Sequence, residues 1–187
     1  MTIKGNKITL RAIEKDDLRL LHKWSNDPEV QSRLAGWHLP SSMMMMEKWL
    51  ERISSDEFNL RFAIENEAGE LIGSANLVDI NWKDRNASIG LMLGDQKHRS
   101  KGYGTDTLMA IMRYAFEELG FERLDTTIIE SNEPSLKLFC KKCGWLNEGI
   151  KKNWYWRHNK FWNKVILGIN SDDYFELINS NKYWDTT

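Results

Sequence analysis

The chain has 187 residues, of which 41% are hydrophobic and 28% are charged, and its formal net charge is −1. This length and composition predict one globular domain over residues 1–187 and exclude a strong overall attraction to nucleic acid or to an anionic membrane. The N-terminal residues lack a signal-peptide hydrophobic region, no apolar run approaches a membrane span, and two cysteines do not make a disulfide framework. We therefore expect a cytoplasmic protein that crosses no membrane.

The first half of the chain predicts six elements in the order strand, helix, helix, strand, strand, strand. Apolar periodicity and turn residues place them at residues 8–13, 16–25, 41–53, 60–65, 71–79 and 87–93. Between the two helices, residues 29–40 are predicted to be irregular, because Pro28 follows the first helix. Trp37 and His38 lie in this irregular stretch.

The second half predicts two helices, three strands and a short C-terminal helix. The patterns place the elements at residues 105–119, 124–129, 134–143, 145–155, 161–169 and in the tail from residue 171. Glycines follow the first two helices, as is typical of helix C-termini. Strands that alternate with helices throughout the chain predict a mixed α/β domain.

A glycine loop at residues 96–105 separates a predicted strand from a predicted amphipathic helix. Gly102 and Gly104 permit a tight turn that leaves backbone amides uncovered. Amides at a helix start have no partners within the helix, and the helix dipole adds partial positive charge there. Arg99 and Lys101 add two full charges. The loop therefore predicts a binding site for the phosphate groups of a cofactor.

The loop does not follow two other phosphate-binding patterns. A P-loop ends in Gly-Lys-Ser/Thr, which is absent, and a dinucleotide fingerprint needs a third small residue where Thr107 stands. A tight turn with chance cations also remains open on this motif alone. The spacing Arg99-x-x-Gly102-x-Gly104 resembles the pyrophosphate loop of the GNAT acetyltransferase superfamily, Gln/Arg-x-x-Gly-x-Gly/Ala.

A second motif follows one helix and one strand later. Residues 131–145 resemble the GNAT signature Asn-x-x-Ser-x-x-Leu-Tyr-x-Lys-x-Gly-Phe. Glu148, Gly149 and the closing hairpin resemble the branch that includes ribosomal-protein N-terminal and spermidine acetyltransferases. Two linked motifs in register identify the chain as a member of the superfamily. The resemblance implies an α+β GNAT-like fold, with a mixed sheet of about seven strands and flanking helices.

The resemblance also implies an activity, acetyl-CoA-dependent N-acetyl transfer to a primary amine. The acceptor classes are a protein N-terminus, a polyamine, an amino sugar or another small amine, and the sequence does not rank them. Acetyl-CoA is the implied co-substrate. No metal is expected, because the four histidines are scattered without ligand spacing.

In the superfamily, the pyrophosphate lies on the glycine loop and the pantetheine arm enters between two diverging strands. These strands would be residues 89–93 and 124–129, and an amide of the first strand would stabilise the oxyanion that develops on the thioester carbonyl. Asn132 could also form a simple Asx turn. The cofactor contacts that the resemblance implies are Leu91, Met92, Leu93, Arg99, Ser100, Lys101, Gly102, Tyr103, Gly104, Asn132, Ser135 and Phe139.

The proton-transfer residues follow less directly from the motifs. The superfamily often has Tyr where this chain has Phe139, which cannot donate a proton to the leaving thiolate. Ser131, Ser135, two cysteines or water could substitute, and our candidate is Ser135. Glu130, at a strand end, is the candidate base for the amine; the alternative is a solvated acid.

Three further patterns suggest other properties. Cys140 and Cys143 spell C-x-x-C, but they lack further zinc ligands and a helix N-terminus, so packing is favoured. Residues 151–164 carry basic and aromatic side chains without acids, which favours either a single-strand nucleic-acid module or an aromatic hairpin packed on the core or on a homodimer partner. The hairpin is the preferred interpretation, so no nucleic-acid partner is expected. The missing tyrosine also permits a catalytically silent acetyl-CoA-binding protein.

Acidic residues near the first two helices suggest how an amine could be attracted. They are Asp27, Glu29, Glu47 and Glu51. A mouth lined with carboxylates would raise the local concentration of a cationic amine. The alternative is that all four are solvated helix-end and loop charges.

Overall fold

The computed structural model describes residues 1–36 and 39–185, so the predictions for Trp37 and His38 lie outside the described residues. The strands are β1 (Ile3–Lys4), β2 (Ile8–Ala12), β3 (Leu60–Asn66), β4 (Leu71–Asn81), β5 (Asn86–Leu93), β6 (Arg123–Ile129), β7 (Leu146–Arg157) and β8 (Lys160–Asn170). The helices are α1 (Leu18–Ser25), α2 (Pro28–Arg33), α3 (Met43–Ile53), α4 (Tyr103–Arg113), α5 (Glu133–Leu136) and α6 (Ser171–Asn181).

A mixed sheet of eight strands organises the described residues, in the order β1-β2-β3-β4-β5-β6-β8-β7. Neighbouring strands are antiparallel except β5 and β6, which are parallel. The expected mixed α+β architecture is confirmed. The sheet has one strand more than the expected seven, and two-residue β1 is the strand that the sequence analysis missed.

The two faces of the sheet pack against different helices. On the face that we call the α4 face, α4 and α5 cover a large apolar cluster that includes Leu108 and Leu124. On the opposite α1 face, α1 and α3 pack over a smaller cluster that includes Leu21, Met46 and Ala63. Side chains alternate between faces along a strand. A strand residue that packs in one of these clusters therefore places its two neighbours on the opposite face.

Helix α2 corrects the prediction that residues 29–40 are irregular. Asp27 caps α2, since its Oδ1 accepts hydrogen bonds from the amides of Glu29 at 2.8 Å and Val30 at 3.4 Å. Pro28 occupies the first turn, where its missing N–H costs nothing. The proline that ends α1 therefore also begins α2.

Two helices continue as π turns, at Tyr114–Glu118 after α4 and at Lys137–Lys142 after α5. Gly120 and Gly144 then adopt positive φ angles of 66° and 74°, which confirms the predicted glycine stops. Within residues 1–36 and 39–185, no helix combines the length and the apolar character that crossing a bilayer requires.

Candidate active site

A cleft of about 430 Å³ opens between the C-terminal end of β5, the glycine loop and α5. Most of the predicted cofactor contacts meet there. Leu91, Met92 and Leu93 lie on the strand side, and Asn132 and Ser135 lie on the α5 side. The residues that contribute from the loop are Arg99, Ser100, Gly102 and Gly104.

The glycine loop turns through two residues with positive φ angles, Ser100 at 61° and Gly102 at 90°. Gly102 is the N-cap residue of α4 and has no side chain to cover the helix start. Within the described part of the chain, none of the amides of residues 100–105 donates a hydrogen bond to protein. This run of unpaired N–H groups fits a diphosphate, because charge-assisted bonds to backbone amides satisfy both partners.

The N-terminal hairpin supports the glycine loop through a buried carboxylate. Asp106, in the first turn of α4, is 1% exposed and accepts hydrogen bonds from the amides of Asn6, Lys7 and Ile8. The Lys7 ammonium donates to the Lys101 carbonyl at 3.3 Å. A buried carboxylate needs such partners, and here they fix the start of α4 relative to β2.

Strands β5 and β6 separate inside the sheet. They pair only from Asn86 to Ser88 on β5 and from Arg123 to Asp125 on β6. Beyond this point the space between them, which we call the strand gap, opens toward the cleft.

The strand gap receives N–H groups from alternate residues of β5. The Gly94 amide donates to the Ile72 carbonyl of β4 at 3.0 Å, so Met92, two residues earlier, also directs its N–H toward β4. The N–H groups of Leu91 and Leu93 therefore face the gap. The structure thus corrects the prediction for the Met92 amide, although Met92 is still one of the residues that line the cleft.

Arg99 lies in the cleft but is held by protein groups. Its Nη1 donates to Glu29 Oε1 at 2.5 Å and its Nη2 to the Gly94 carbonyl at 3.3 Å. Gln96 Nε2 donates to the other oxygen of Glu29. The hydrogen bonds from Gln96 and Arg99 lower the pKa of Glu29. Arg99 therefore ties α2 to the glycine loop, in addition to any contact with a phosphate.

Two loop residues predicted to contact the cofactor point elsewhere. The Lys101 side chain is exposed and does not line the cleft. The Tyr103 hydroxyl donates to Glu67 Oε2 at 3.0 Å, which raises the pKa of Tyr103. The cleft instead gains cations that the motif did not indicate, at Lys137 and Lys142 of the segment after α5.

Asn132 caps α5 and also lines the cleft. Its Oδ1 accepts from the Ser135 amide at 3.3 Å, which makes it the N-cap of α5, and its Nδ2 donates to the Arg33 carbonyl at 3.1 Å. It therefore joins α5 to the end of α2 while lining the cleft. Ser135 lines the cleft from the first turn of α5.

Phe139 belongs to the core and not to the cleft, which corrects its assignment as a cofactor contact. Its side chain is 4% exposed, and its ring meets Trp145 edge to face with the centroids 5.0 Å apart. Leu138, one residue earlier, lines the cleft instead.

Glu130 lies outside the residues that line the cleft and is exposed. Its amide donates to the Asn163 carbonyl at 3.0 Å, and its Oε2 accepts from the Asn163 amide at 3.4 Å. The geometry gives no support to Glu130 as the base.

Helix α2 supplies a wall of the cleft that the sequence analysis did not find. Val30, Arg33 and Leu34 line this wall. The only sequence signal was an Asp-Pro pair that begins a helix as readily as it ends one. The position of α2 follows from two contacts between residues far apart in sequence. Arg99 donates to Glu29, and Asn132 donates to the Arg33 carbonyl.

The predicted acidic mouth is not formed as proposed. Asp27 is occupied as the cap of α2, and Glu29 is bound to Arg99, Gln96 and Arg33. Glu47 and Glu51 are exposed on α3 and do not line the cleft. The observed arrangement is therefore that of structural and solvated acids.

The cysteines and the hairpin can also be placed. Cys143 is buried, and burial raises the pKa of its thiol to about 12, so it is a packing residue and not a reactive thiolate.

In the hairpin of β7 and β8, Trp154 and Trp156 are each 52% exposed, so they are not packed into the core. The ammonium groups of Lys151 and Lys164 lie 5.0 and 4.9 Å from the Trp154 ring centroid. Packing on a homodimer partner stays a prediction.

Comparison with known proteins decides the family. The family model described as an acetyltransferase (GNAT) domain matches residues 7–145. The chain belongs to the GNAT family. It is therefore an acetyl-CoA-dependent N-acetyltransferase, as its two motifs implied, and the comparisons give no support to the nucleic-acid-binding module or the silent acetyl-CoA-binding protein.

Individual relatives agree with this GNAT assignment. The chain is 27% identical over 175 residues to an uncharacterized N-acetyltransferase, YokL, of Bacillus subtilis, covering 92% of this chain and 94% of the relative. It is 26% identical over 147 residues to the spermidine N(1)-acetyltransferase of Vibrio cholerae, covering 78% of this chain and 82% of the relative. In fold it is similar to the crystal structure of a Vibrio cholerae spermidine N-acetyltransferase in complex with CoA and spermine. That similarity has a TM-score of 0.83 at 23% identity and covers 90% of this chain and 98% of the other.

Proposed function

We propose that this GNAT protein transfers the acetyl group to a small primary amine of the polyamine class. In this proposal the pyrophosphate of acetyl-CoA lies on the amides of residues 100–105, and its arm lies in the strand gap. The observation that carries the proposal is the continuity of these two features. Unpaired loop amides meet a gap into which Leu91 and Leu93 direct their N–H groups.

The residues around the gap have distinct tasks in the proposed reaction. Acetyl-CoA supplies an activated acetyl group on a thiol that leaves readily. The Leu91 N–H donates a hydrogen bond to the carbonyl oxygen and stabilises the negative charge that develops there. Leu93 and the glycine loop fix the cofactor. Holding the cofactor in this way displaces water and keeps the thioester carbonyl carbon within reach of the attacking amine.

Ser135 is proposed to donate a hydrogen bond near the leaving sulfur. A thiol with an ordinary pKa of about 8.5 leaves with little help, so the contribution is modest. We expect Ser135→Ala to lower kcat by less than about tenfold, since general acid catalysis of a poor leaving group would be worth far more. Single-turnover rates with the mutant and wild type measure this difference.

The polyamine class is supported by the spermidine acetyltransferase among the relatives. On the α1 face, Met92 of β5 packs against the cluster under α1 and α3, whereas Ser88 and Gly90 of the same strand are half-buried. We propose that the amine approaches the gap beside these two residues.

An amine panel tests the proposed function. Purified protein and acetyl-CoA are incubated with spermidine, spermine, glucosamine or a short peptide with a free N-terminus, and released CoA thiol is measured. We expect release with the polyamines, and mass spectrometry should show the acetylated amine. A Gly102→Val variant controls for background hydrolysis. Release with the peptide alone would overturn the polyamine assignment, and no release with any amine would overturn the proposed activity.

A further inference from the structure

The segment that follows α6, residues 182–185, returns to the start of α4. Tyr183 is half-buried against the apolar cluster on the α4 face, and its hydroxyl donates a hydrogen bond to Asp106 Oδ1 at 2.8 Å. The Tyr183 carbonyl accepts a hydrogen bond from Asn6 Nδ2 at 3.1 Å. The segment lies beyond residues 7–145, where the family model matches, and it contacts both the N-terminal turn and the first turn of α4.

Asp106 accepts four hydrogen bonds in the described part of the chain, and Tyr183 donates the one that comes from a side chain. The other three donors are the backbone amides of residues 6–8, at 2.6 to 2.9 Å. The N-terminal turn fits the carboxylate so closely that a Cβ added to Gly5 would lie 2.3 Å from Asp106 Oδ2. A buried carboxylate keeps its position through such donors, so loss of the Tyr183 hydroxyl removes one of the groups that fix it.

Asp106 also belongs to the helix start that presents the phosphate-binding amides. Its own amide donates to the Gly102 carbonyl at 3.0 Å, and the Lys7 residue that it holds by the backbone donates through its ammonium group to the Lys101 carbonyl. A shift of Asp106 therefore moves the glycine loop at two consecutive carbonyls. Because the amides of residues 100–105 must converge on one diphosphate, a small displacement weakens several of their hydrogen bonds together.

We infer that Tyr183 is a positioning residue for acetyl-CoA, acting through Asp106 on the amides of the glycine loop. The inference rests on the proposed placement of the pyrophosphate on those amides and adds a residue outside both GNAT motifs. Tyr183 does not line the cleft, so its effect is indirect. Burial and the charge of Asp106 raise the pKa of Tyr183, so its phenol remains protonated and continues to donate.

Tyr174 offers a matched control at the other end of α4. Its hydroxyl donates to Glu117 Oε1 at 2.7 Å and accepts from Trp184 Nε1 at 3.2 Å. It is therefore a second buried tyrosine that bonds both a carboxylate and the segment of residues 182–185. Tyr174→Phe removes a comparable hydroxyl and a contact with the same segment, but it leaves the hydrogen bonds of Asp106 in place.

The test compares Tyr183→Phe with Tyr174→Phe by thermal unfolding, by calorimetric titration with CoA, and by kinetics with the amine of the panel that reacts fastest. Both variants should have a lower Tm. Only Tyr183→Phe should raise the Kd for CoA and the KM for acetyl-CoA, by about 2- to 30-fold, the range for residues that act on a site through others. The kcat at saturating acetyl-CoA and the KM for the amine should match the wild type in both variants.

Two further measurements test the route through Asp106. In amide NMR spectra of the unliganded protein, Tyr183→Phe should shift the signals of residues 100–105, and Tyr174→Phe should not. In a double-mutant cycle, adding Tyr183→Phe to Asp106→Asn should change the Kd for CoA little further, because both substitutions remove the same interaction.

Several results would overturn the inference. An unchanged Kd for CoA in Tyr183→Phe, or an equal increase in Tyr174→Phe, would do so, while CoA binding by the wild type leaves the proposed function standing. Unshifted signals of residues 100–105, additive losses in the double mutant, or failure of Tyr183→Phe to fold would also assign Tyr183 a purely structural role. Wild-type protein that neither binds CoA nor acetylates any amine would overturn the proposed function and this inference together.

Discussion

Replacing Gly102 by valine separates backbone strain from loss of phosphate binding. Gly102 has φ of 90°, and the nearest atom to an added Cβ is Lys7 Nζ at 3.4 Å, so the side chain fits but the backbone is strained. A side chain in the left-handed region costs about 1–2 kcal/mol. For a domain of this size, such a loss lowers Tm by roughly 2–8 °C.

Loss of phosphate binding is larger than this strain. Valine at this position covers the loop amides or forces them to turn away. Charge-assisted hydrogen bonds are worth about 1.5–3 kcal/mol each. Losing two of them weakens acetyl-CoA binding by about 3–6 kcal/mol, which is roughly 10²- to 10⁴-fold in Kd.

The matched control is Gly69→Val. Gly69 lies in the turn between β3 and β4 with φ of 74°, and an added Cβ there meets no atom within 4 Å. We expect both variants to show the Tm loss, and only Gly102→Val to lose acetyl-CoA affinity by calorimetry. Normal acetyl-CoA affinity in Gly102→Val, or an equal loss of acetyl-CoA affinity in both variants, would refute the assignment of the loop as the phosphate-binding site.

Three other substitutions test particular contacts. Phe139→Tyr places a hydroxyl in the cluster beside Trp145, so we expect a lower Tm by thermal unfolding and no gain in turnover; a higher turnover would restore Phe139 to the active site. Burial raises the pKa of Asp17, but the hydrogen bonds from Arg11, the hydrogen bond from the Glu14 amide and the Arg11 charge together outweigh it, so the net shift is downward. The ion pair therefore adds stability above the ordinary aspartate pKa, about 3.9, that is lost as the pH falls through the lower folded value. The Tm gap between wild type and Asp17→Asn should shrink in acid, and a constant gap would contradict this. Asp27→Ala should cost about 1 kcal/mol by removing the α2 cap, whereas Asp27→Asn should keep both Tm and the acceptor KM; a raised KM in Asp27→Asn would revive the acidic mouth.

The elements that sequence reasoning found are those with local signals. Glycines, prolines and apolar periodicity fix the ends of α4, α5 and the long strands within a few residues. The glycine loop was predicted for the same reason, since its conformation depends on Gly102 itself. Helix α2 was missed because six residues do not form a stable helix alone. Its stability depends on Asp27, and on Arg99 and Asn132, which are distant in sequence.

The details of the site depend on register, which the sequence does not show. Which amides of residues 91–93 face the strand gap follows from the pairing of Gly94 with Ile72. The strand gap itself exists because β5 and β6 pair in parallel only as far as Ser88 and Asp125. Phe139 fits both a motif position and the apolar stripe of its helix, and only its contact with Trp145 decides between them.

The central claim is that acetyl-CoA binds along the strand gap and the glycine loop. Residue-resolved amide hydrogen exchange by NMR, with and without acetyl-CoA, tests it most directly. We predict that exchange slows on binding at Leu91, Leu93 and residues 100–105. Met92, whose N–H faces β4, should be slow in both states. Unchanged exchange at Leu91 and Leu93, or slowing confined to residues 151–164, would contradict the account.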